Sequence, residues 1–157
     1  MIGLIHRISQ VGGALSAAAI ALGMTLVLGE IAARGLFSST LYVTEEYSGY
    51  LMAASVYLGL AYTLREGAHI RMGFIFHALP EGMSELVERL CSLLGLIFSL
   101  VLLHATFALF WDSYRSGTVS MQISSTPLAI PQFFLPAGIL MMSLQHLADL
   151  LSGSRRR

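Results

Sequence analysis

The sequence has little charge and no lysine. Charged residues make up 11% of its 157 residues, whereas a typical soluble domain contains about 25%. The basic side chains are nine arginines, and their only cluster is the triplet at residues 155–157. We expect this triplet to face anionic lipid headgroups or simply to fix the orientation of the chain, and the composition gives no indication of nucleic-acid binding.

Cysteine and catalytic motifs are also scarce. Cys91 is the single cysteine, which excludes a disulfide within the chain, and its apolar neighbours predict a buried, inert thiol. The sequence contains no phosphate-binding loop of the Walker type, and its histidines do not have the spacing of a metal site. It therefore predicts no enzyme, no catalytic residues and no metal or cofactor.

Long uncharged stretches occupy most of the chain, at residues 8–29, 47–64, 90–111 and 116–148. The shortest reaches about 27 Å as a helix, against a hydrocarbon core of about 30 Å. We therefore predict an all-α integral membrane protein with four transmembrane helices. A single membrane domain of residues 1–157 would contain these helices at about residues 8–36, 45–66, 81–114 and 127–151.

The arginines also predict an orientation. Arg34 and Arg115 lie on one side of the predicted helices. The others lie on the opposite side: Arg7, Arg65, Arg71, Arg89, Arg155, Arg156 and Arg157. Arginine-rich loops remain in the cytoplasm, so both termini and the loop between helices 2 and 3 are predicted to be cytoplasmic.

That loop is predicted to contain a short interfacial segment. Residues 69–79 mix apolar side chains with His69 and Arg71, a composition that suits the boundary between lipid and water. Together with Arg65, these two residues are interpreted as a cytoplasmic interfacial anchor.

The starts of helices 2 and 4 contain recognisable signals. Thr44 is predicted to cap helix 2, with Glu45 and Glu46 in its first turn, where the helix dipole favours acidic side chains. Thr126 is predicted to cap helix 4, and three prolines follow. They are Pro127, Pro131 and Pro136. Proline cannot donate a hydrogen bond to the carbonyl four residues earlier, so the start of helix 4 is predicted to be kinked or broken.

Helix 1 contains two candidate features. Gly13, Ala17 and Ala21 recur every fourth residue and predict a face that packs closely on another helix. Near the end of the helix, Glu30 and Arg34 are four residues apart and share a face. We interpret them as a structural ion pair, with docking of a partner or passage of an ion or substrate as alternatives.

Two histidines within the predicted spans raise the question of haem. His104 is about 21 Å from Leu90, where the uncharged stretch of helix 3 begins, whereas His146 is only about 6 Å from the cytoplasmic end of helix 4. Because their depths differ, they cannot bind one haem iron. For His104 we expect a hydrogen bond between helices rather than proton transfer.

Two blocks of sequence resemble a known family, the small membrane subunit of tripartite ATP-independent periplasmic (TRAP) transporters, or DctQ-like small permease. The first block is AARGLFSSTLYVTEEYSGYLMAASVYLGLAYTLREGAHIRM. It looks like the family pattern of an arginine ending helix 1, a glutamate pair opening helix 2, and a following Leu-Arg-x-Gly-x-His-Ile-Arg motif. The second block is SSTPLAIPQFFLPAG, which resembles the proline-punctuated entry into helix 4.

The resemblance implies an accessory scaffold in the bacterial inner membrane. In such transporters a periplasmic binding protein delivers a carboxylate-containing solute, and a large membrane subunit moves it with sodium. The substrate and sodium sites are expected in the large subunit, so this chain would contain no substrate site or cofactor. Its partners would be the large subunit, the binding protein and lipids. Docking of the binding protein would involve Glu30, Arg34, Glu45 and Glu46.

Two other functions remain open at this point. The chain could form a self-sufficient, homo-oligomeric transporter in which Glu30 couples proton movement to transport. It could also be the membrane anchor of a redox enzyme. The first alternative is weakened by the position of Glu30, about 12 Å from the centre of helix 1.

Overall fold

The computed structural model describes residues 2–66 and 81–152, which are helical except for the connections between helices. The helices are α1 (Ile2–Phe37), α2 (Thr44–Arg65), α3 (Glu81–Ser116), α4 (Ala129–Gln132) and α5 (Phe134–Ser152). The predicted interfacial segment, with His69 and Arg71, lies outside the described residues.

Three segments in the described part of the chain are long and apolar enough to cross a membrane: Gly3–Phe37, Arg89–Ser116 and Ala129–Leu151. The first two belong to α1 and α3, and the third combines α4 and α5. Helix α2 has 22 residues, but its serine, threonine, tyrosine and glycine residues make it less apolar than these segments. The protein is therefore an all-helical membrane protein, and a fourth span remains a prediction.

Helix α2 lies at the centre of the fold. It packs against α1 on one side and α5 on the other, while α3 packs mainly against α5 at the edge of the array. The core comes mostly from α2 and α5. The buried apolar residues of these two helices are Ala54, Leu58, Ala61, Leu64, Ile139, Met142 and Ala148.

Two glycines bring the main chains of the neighbouring helices against α2. A Cβ atom at Gly138 of α5 would lie 2.2 Å from the carbonyl oxygen of Tyr57, and one at Gly12 of α1 would lie 2.7 Å from that of Leu58. Both distances are far shorter than van der Waals contact. Only glycine permits these approaches, which place three helices side by side near the middle of α2.

The face of α1 that packs within this chain differs from the predicted one. It follows Ser9, Gly12, Ser16 and Ala19, at alternating spacings of three and four residues. Of the predicted face, Gly13 packs under the ring of Tyr62. The other two residues, Ala17 and Ala21, are exposed. A spacing of four residues drifts by about 40° per step around a helix, so this row turns away from α2.

The proline-rich segment divides into two helices. Helix α4 ends at Gln132 and α5 begins at Phe134, because Pro136 has no amide hydrogen for the carbonyl of Gln132. Pro131 lies inside α4 and is buried. Pro127 lies before α4 and forms an isolated bridge with Val119.

The environment of Cys91 also differs from the prediction. Its thiol is free and the residue is exposed on α3, because that helix packs mainly against α5 and leaves most of its surface uncovered. The core of the fold therefore does not bury this thiol.

Candidate functional site at the glutamate end

Glu30 joins α1 to the connection that leads into α2. Its carboxylate accepts hydrogen bonds from the Arg34 guanidinium, from the amide of Leu41 at 2.8 Å and from the hydroxyl of Thr44 at 3.2 Å. Glu30 is 7% exposed. Thr44 is therefore not the predicted cap of α2: the cap position is Val43, which has no side-chain cap, and the Thr44 hydroxyl binds Glu30 instead.

Glu46, in the first turn of α2, binds a different segment. Its carboxylate accepts hydrogen bonds from the hydroxyl of Ser124 and, at 2.7 Å, from that of Tyr50. Ser124 belongs to the connection between α3 and α4. These hydrogen bonds, that of Ser124 above all, hold the pKa of the Glu46 carboxyl below its ordinary value of 4.5. We call the end of the molecule that contains Glu30 and Glu46 the glutamate end.

The connection between α3 and α4, residues 117–128, folds back on itself and onto α2. The amide of Ser120 donates to the carbonyl of Thr126 at 2.8 Å, and the amide of Leu128 donates to the carbonyl of Thr118 at 3.0 Å. The Thr126 hydroxyl lies 3.1 Å from that of Tyr47. The prediction that Thr126 caps helix 4 is therefore wrong: α4 starts at Ala129, and Thr126 binds α2.

An open groove of about 580 Å³ lies between this connection and the first turns of α2. Its lining includes Glu45, Glu46, Ser120 and Met121. Glu45 is exposed, unlike the two glutamates that bind loop segments. Among the four residues predicted for docking, Glu45 and Arg34 are the exposed ones, since 56% of the Arg34 side chain is accessible.

At the opposite end, a second polar network joins α1 to α5. The hydroxyl of Ser9 donates to the side-chain oxygen of Gln145 at 2.9 Å, and the Gln145 amide donates to Asp149 at 3.0 Å. Ser9 and Gln145 are completely buried. This pair was not predicted from the sequence, although both are polar residues within uncharged stretches. Arg65, of the predicted anchor, lies nearby and donates to the carbonyl of His6 at 3.4 Å.

His104 and His146 have different environments. His146 is buried against Gly95 of α3, where a Cβ would come within 2.4 Å of the imidazole. His104 is exposed and lines a crevice between α3 and α5. Within residues 2–66 and 81–152, no group of three or more His, Cys, Asp or Glu side chains could hold a metal ion.

These observations define a class: a helical membrane protein whose polar side chains, where described, mainly join its own helices and loops. Residues 23–156 match the family described as tripartite ATP-independent periplasmic transporters, DctQ component. The chain is also similar to the ectoine TRAP transporter small permease protein TeaB of Halomonas elongata, with 26% identity over an alignment of 149 residues that covers 92% of this chain and 77% of that protein. The chain belongs to the DctQ family of TRAP transporter small permeases.

Proposed function

We propose that this chain is the scaffold subunit of a sodium-coupled TRAP transporter that imports a carboxylate-containing solute. The observation that supports a scaffold most is how Glu30 and Glu46 are used: each binds a loop of the chain itself. Carboxylates committed in this way hold loops of the chain in place, which is a structural use. Substrate and sodium would then bind to the large membrane subunit, and this chain would contain no cofactor.

The proposed setting is the bacterial inner membrane, with four spans and both termini in the cytoplasm. Helix α2 would be the fourth span, through its uncharged residues 47–64. At about 1.5 Å per residue the helix is about 33 Å long, and it packs between α1 and α5. The glutamate end, with Arg34 and Arg115, would then face the periplasm.

The geometry argues against the two alternatives. A carboxylate that couples proton movement must be free to exchange its proton, whereas Glu30 is bound by Arg34, Leu41 and Thr44. A haem bound by His104 and His146 would need both imidazoles at one iron. His146 packs on Gly95, whereas His104 lines a crevice nearer the glutamate end of α3.

Co-purification tests the proposed function. A tagged chain is extracted from its native membrane in mild detergent, and the proteins recovered with it are identified by mass spectrometry. We expect one large multi-helix membrane protein in equal amount. Recovery of a homo-oligomer alone that transports after reconstitution, and that Glu30→Gln inactivates, would show instead that this chain is the transporter.

We further propose that Glu45 and Arg34 contribute to docking of the periplasmic binding protein. Glu45→Ala should weaken the affinity of the binding protein for the reconstituted complex by up to about fivefold, which corresponds to the free energy that one exposed ion pair usually contributes. The matched control is Glu66→Ala, which removes an exposed glutamate at the other end of α2. Unchanged affinity in the Glu45 variant would contradict this role.

A further inference from the structure

A crevice separates α3 from α5, and it is closed at one end by a contact with α5 and at the other by a contact with Phe133, which directly precedes α5. On one side of the crevice the Ser143 hydroxyl donates to that of Ser99 at 3.0 Å. On the other side, the rings of Phe110 and Phe133 meet edge to face with centroids 5.8 Å apart. The open space between these contacts has a volume of about 500 Å³.

The crevice is apolar except for one side chain. Its walls are leucine, phenylalanine, alanine and proline residues, and His104 is the only titratable residue in its lining. By helical rise, His104 lies about 10 Å inside the end of the uncharged stretch marked by Trp111. This depth is well within the hydrocarbon region of the proposed span.

His104 makes no hydrogen bond to the described part of the chain. Its neighbour Thr106 shows how a polar residue in this helix can be satisfied locally, because the Thr106 hydroxyl donates to the carbonyl of Leu102 at 2.8 Å. An imidazole has no comparable bond within its own helix. Ionisable residues at this depth are normally paired, so we expect the polar partner of His104 to come from outside the described chain.

A protein helix fits this position better than a lipid. Lipid tails offer no hydrogen-bonding atom, and the headgroups lie about 10 Å further along the helix. We infer that the crevice between α3 and α5 is the docking surface for a transmembrane helix of the large subunit, which offers a hydrogen-bond acceptor to His104. This inference rests on the proposed function, since it needs a large subunit.

Site-specific photocrosslinking tests the surface. A photoreactive phenylalanine replaces Leu100, which lines the crevice, or Leu109, its matched control. The two leucines are 50% and 48% exposed, but nine residues apart they lie on opposite faces of α3. In native membranes we expect the large subunit to crosslink at position 100 and the crosslink to be lost at position 109.

The outcomes separate this inference from the proposed function. Equal or greater crosslinking at position 109, or lipid adducts alone at position 100, would overturn the docking surface while the large subunit still co-purified. Failure of the large subunit to co-purify with the unmodified chain would overturn both.

Substitution of His104 tests the hydrogen bond. His104→Leu should lower the association constant with the large subunit about threefold, the typical effect of one hydrogen bond between membrane helices. His104→Gln, which can still donate, should retain association. Because the imidazole has no partner in the described chain, neither variant should change unfolding of the isolated subunit. Equal association of the Leu variant and the unmodified chain would contradict the role of His104.

Discussion

In a soluble protein the more apolar of two helices is usually the more buried one. Helices α2 and α3 show the reverse. Helix α3 contains the most apolar of the three candidate spans in the described residues, yet almost none of that segment is buried. Helix α2 is not among those candidates, yet Ala54, Leu58, Ala61 and Leu64 are buried. The more apolar helix is thus at the edge of the fold and the less apolar one is at its centre.

The difference follows from the solvent. Lipid tails are as apolar as leucine, so burying an apolar helix in protein gains little hydrophobic free energy. Close packing and polar contacts select the central helix instead. Helix α2 receives Gly12 and Gly138 on its two sides, and its Ser55 carbonyl accepts a hydrogen bond from Ser16 at 2.6 Å.

The largest expected effect is the loss of the closest contact with α2. Gly138→Ala would place a methyl group 2.2 Å from the carbonyl oxygen of Tyr57, so α5 must move away from α2. We expect the free energy of unfolding to fall by about 3 kcal/mol, near the top of the usual range for overpacking. The measurement is unfolding in detergent, followed by circular dichroism.

The control for this variant is Gly49→Ala in α2. A Cβ at Gly49 would meet nothing within 4 Å, and alanine is the better helix former by about 0.5–1 kcal/mol. This variant should be neutral or slightly stabilising. Similar destabilisation by both substitutions would show that the approach of α5 to α2 is not what holds the centre together.

A leucine in each helix gives the next largest effect. Leu58 of α2 is 5% exposed and Leu109 of α3 is 48% exposed. Leu58→Ala should leave a cavity and cost about 2 kcal/mol in the free energy of unfolding, whereas Leu109→Ala should stay within about 0.5 kcal/mol. The same detergent unfolding measures both, and a larger effect at Leu109 would reverse the comparison.

The sequence predicted which segments are helical more readily than it predicted their contacts. The long uncharged stretches indicate the helices, and the prolines indicate the break near Pro136, because both signals depend only on residues close together in the sequence. Of the predicted packing face of α1, Gly13 contacts α2 and the two alanines do not; the face that packs within the chain was not predicted, because several small residues are available and their partner on α2 is distant in sequence. In the same way, Thr44 and Thr126 have the local signature of caps, but carboxylate and phenol groups from other segments bind them instead.

The polar contact between α1 and α5 should contribute less than the close packing on α2. Gln145→Leu removes the acceptor of the buried Ser9 hydroxyl, although Ser9 can still donate to the carbonyl of Ile5 at 3.1 Å. We expect a loss of about 0.6 kcal/mol in the free energy of unfolding, as is typical of polar contacts between membrane helices. The exposed Gln122 offers a matched control, and Gln122→Leu should have no effect. A loss as large as that of Gly138→Ala would make polar pairing the main determinant.

The smallest effect concerns the link between the first turn of α2 and the connection that follows α3. The pKa of Glu46 is below its ordinary value of 4.5 in the folded protein. Its hydrogen bonds therefore stabilise the folded state in full when the pH is above 4.5. This stabilisation is lost as the pH falls through the lowered pKa of the folded state. Below pH 4.5 we therefore expect the amides of Ser120 and Leu128 to lose protection from hydrogen exchange, relative to their intrinsic rates, while the core of α2 keeps its protection. Glu46→Gln should abolish this pH dependence and Glu45→Gln should preserve it; a response that survives in the Glu46 variant would mean that another group holds the connection to α2.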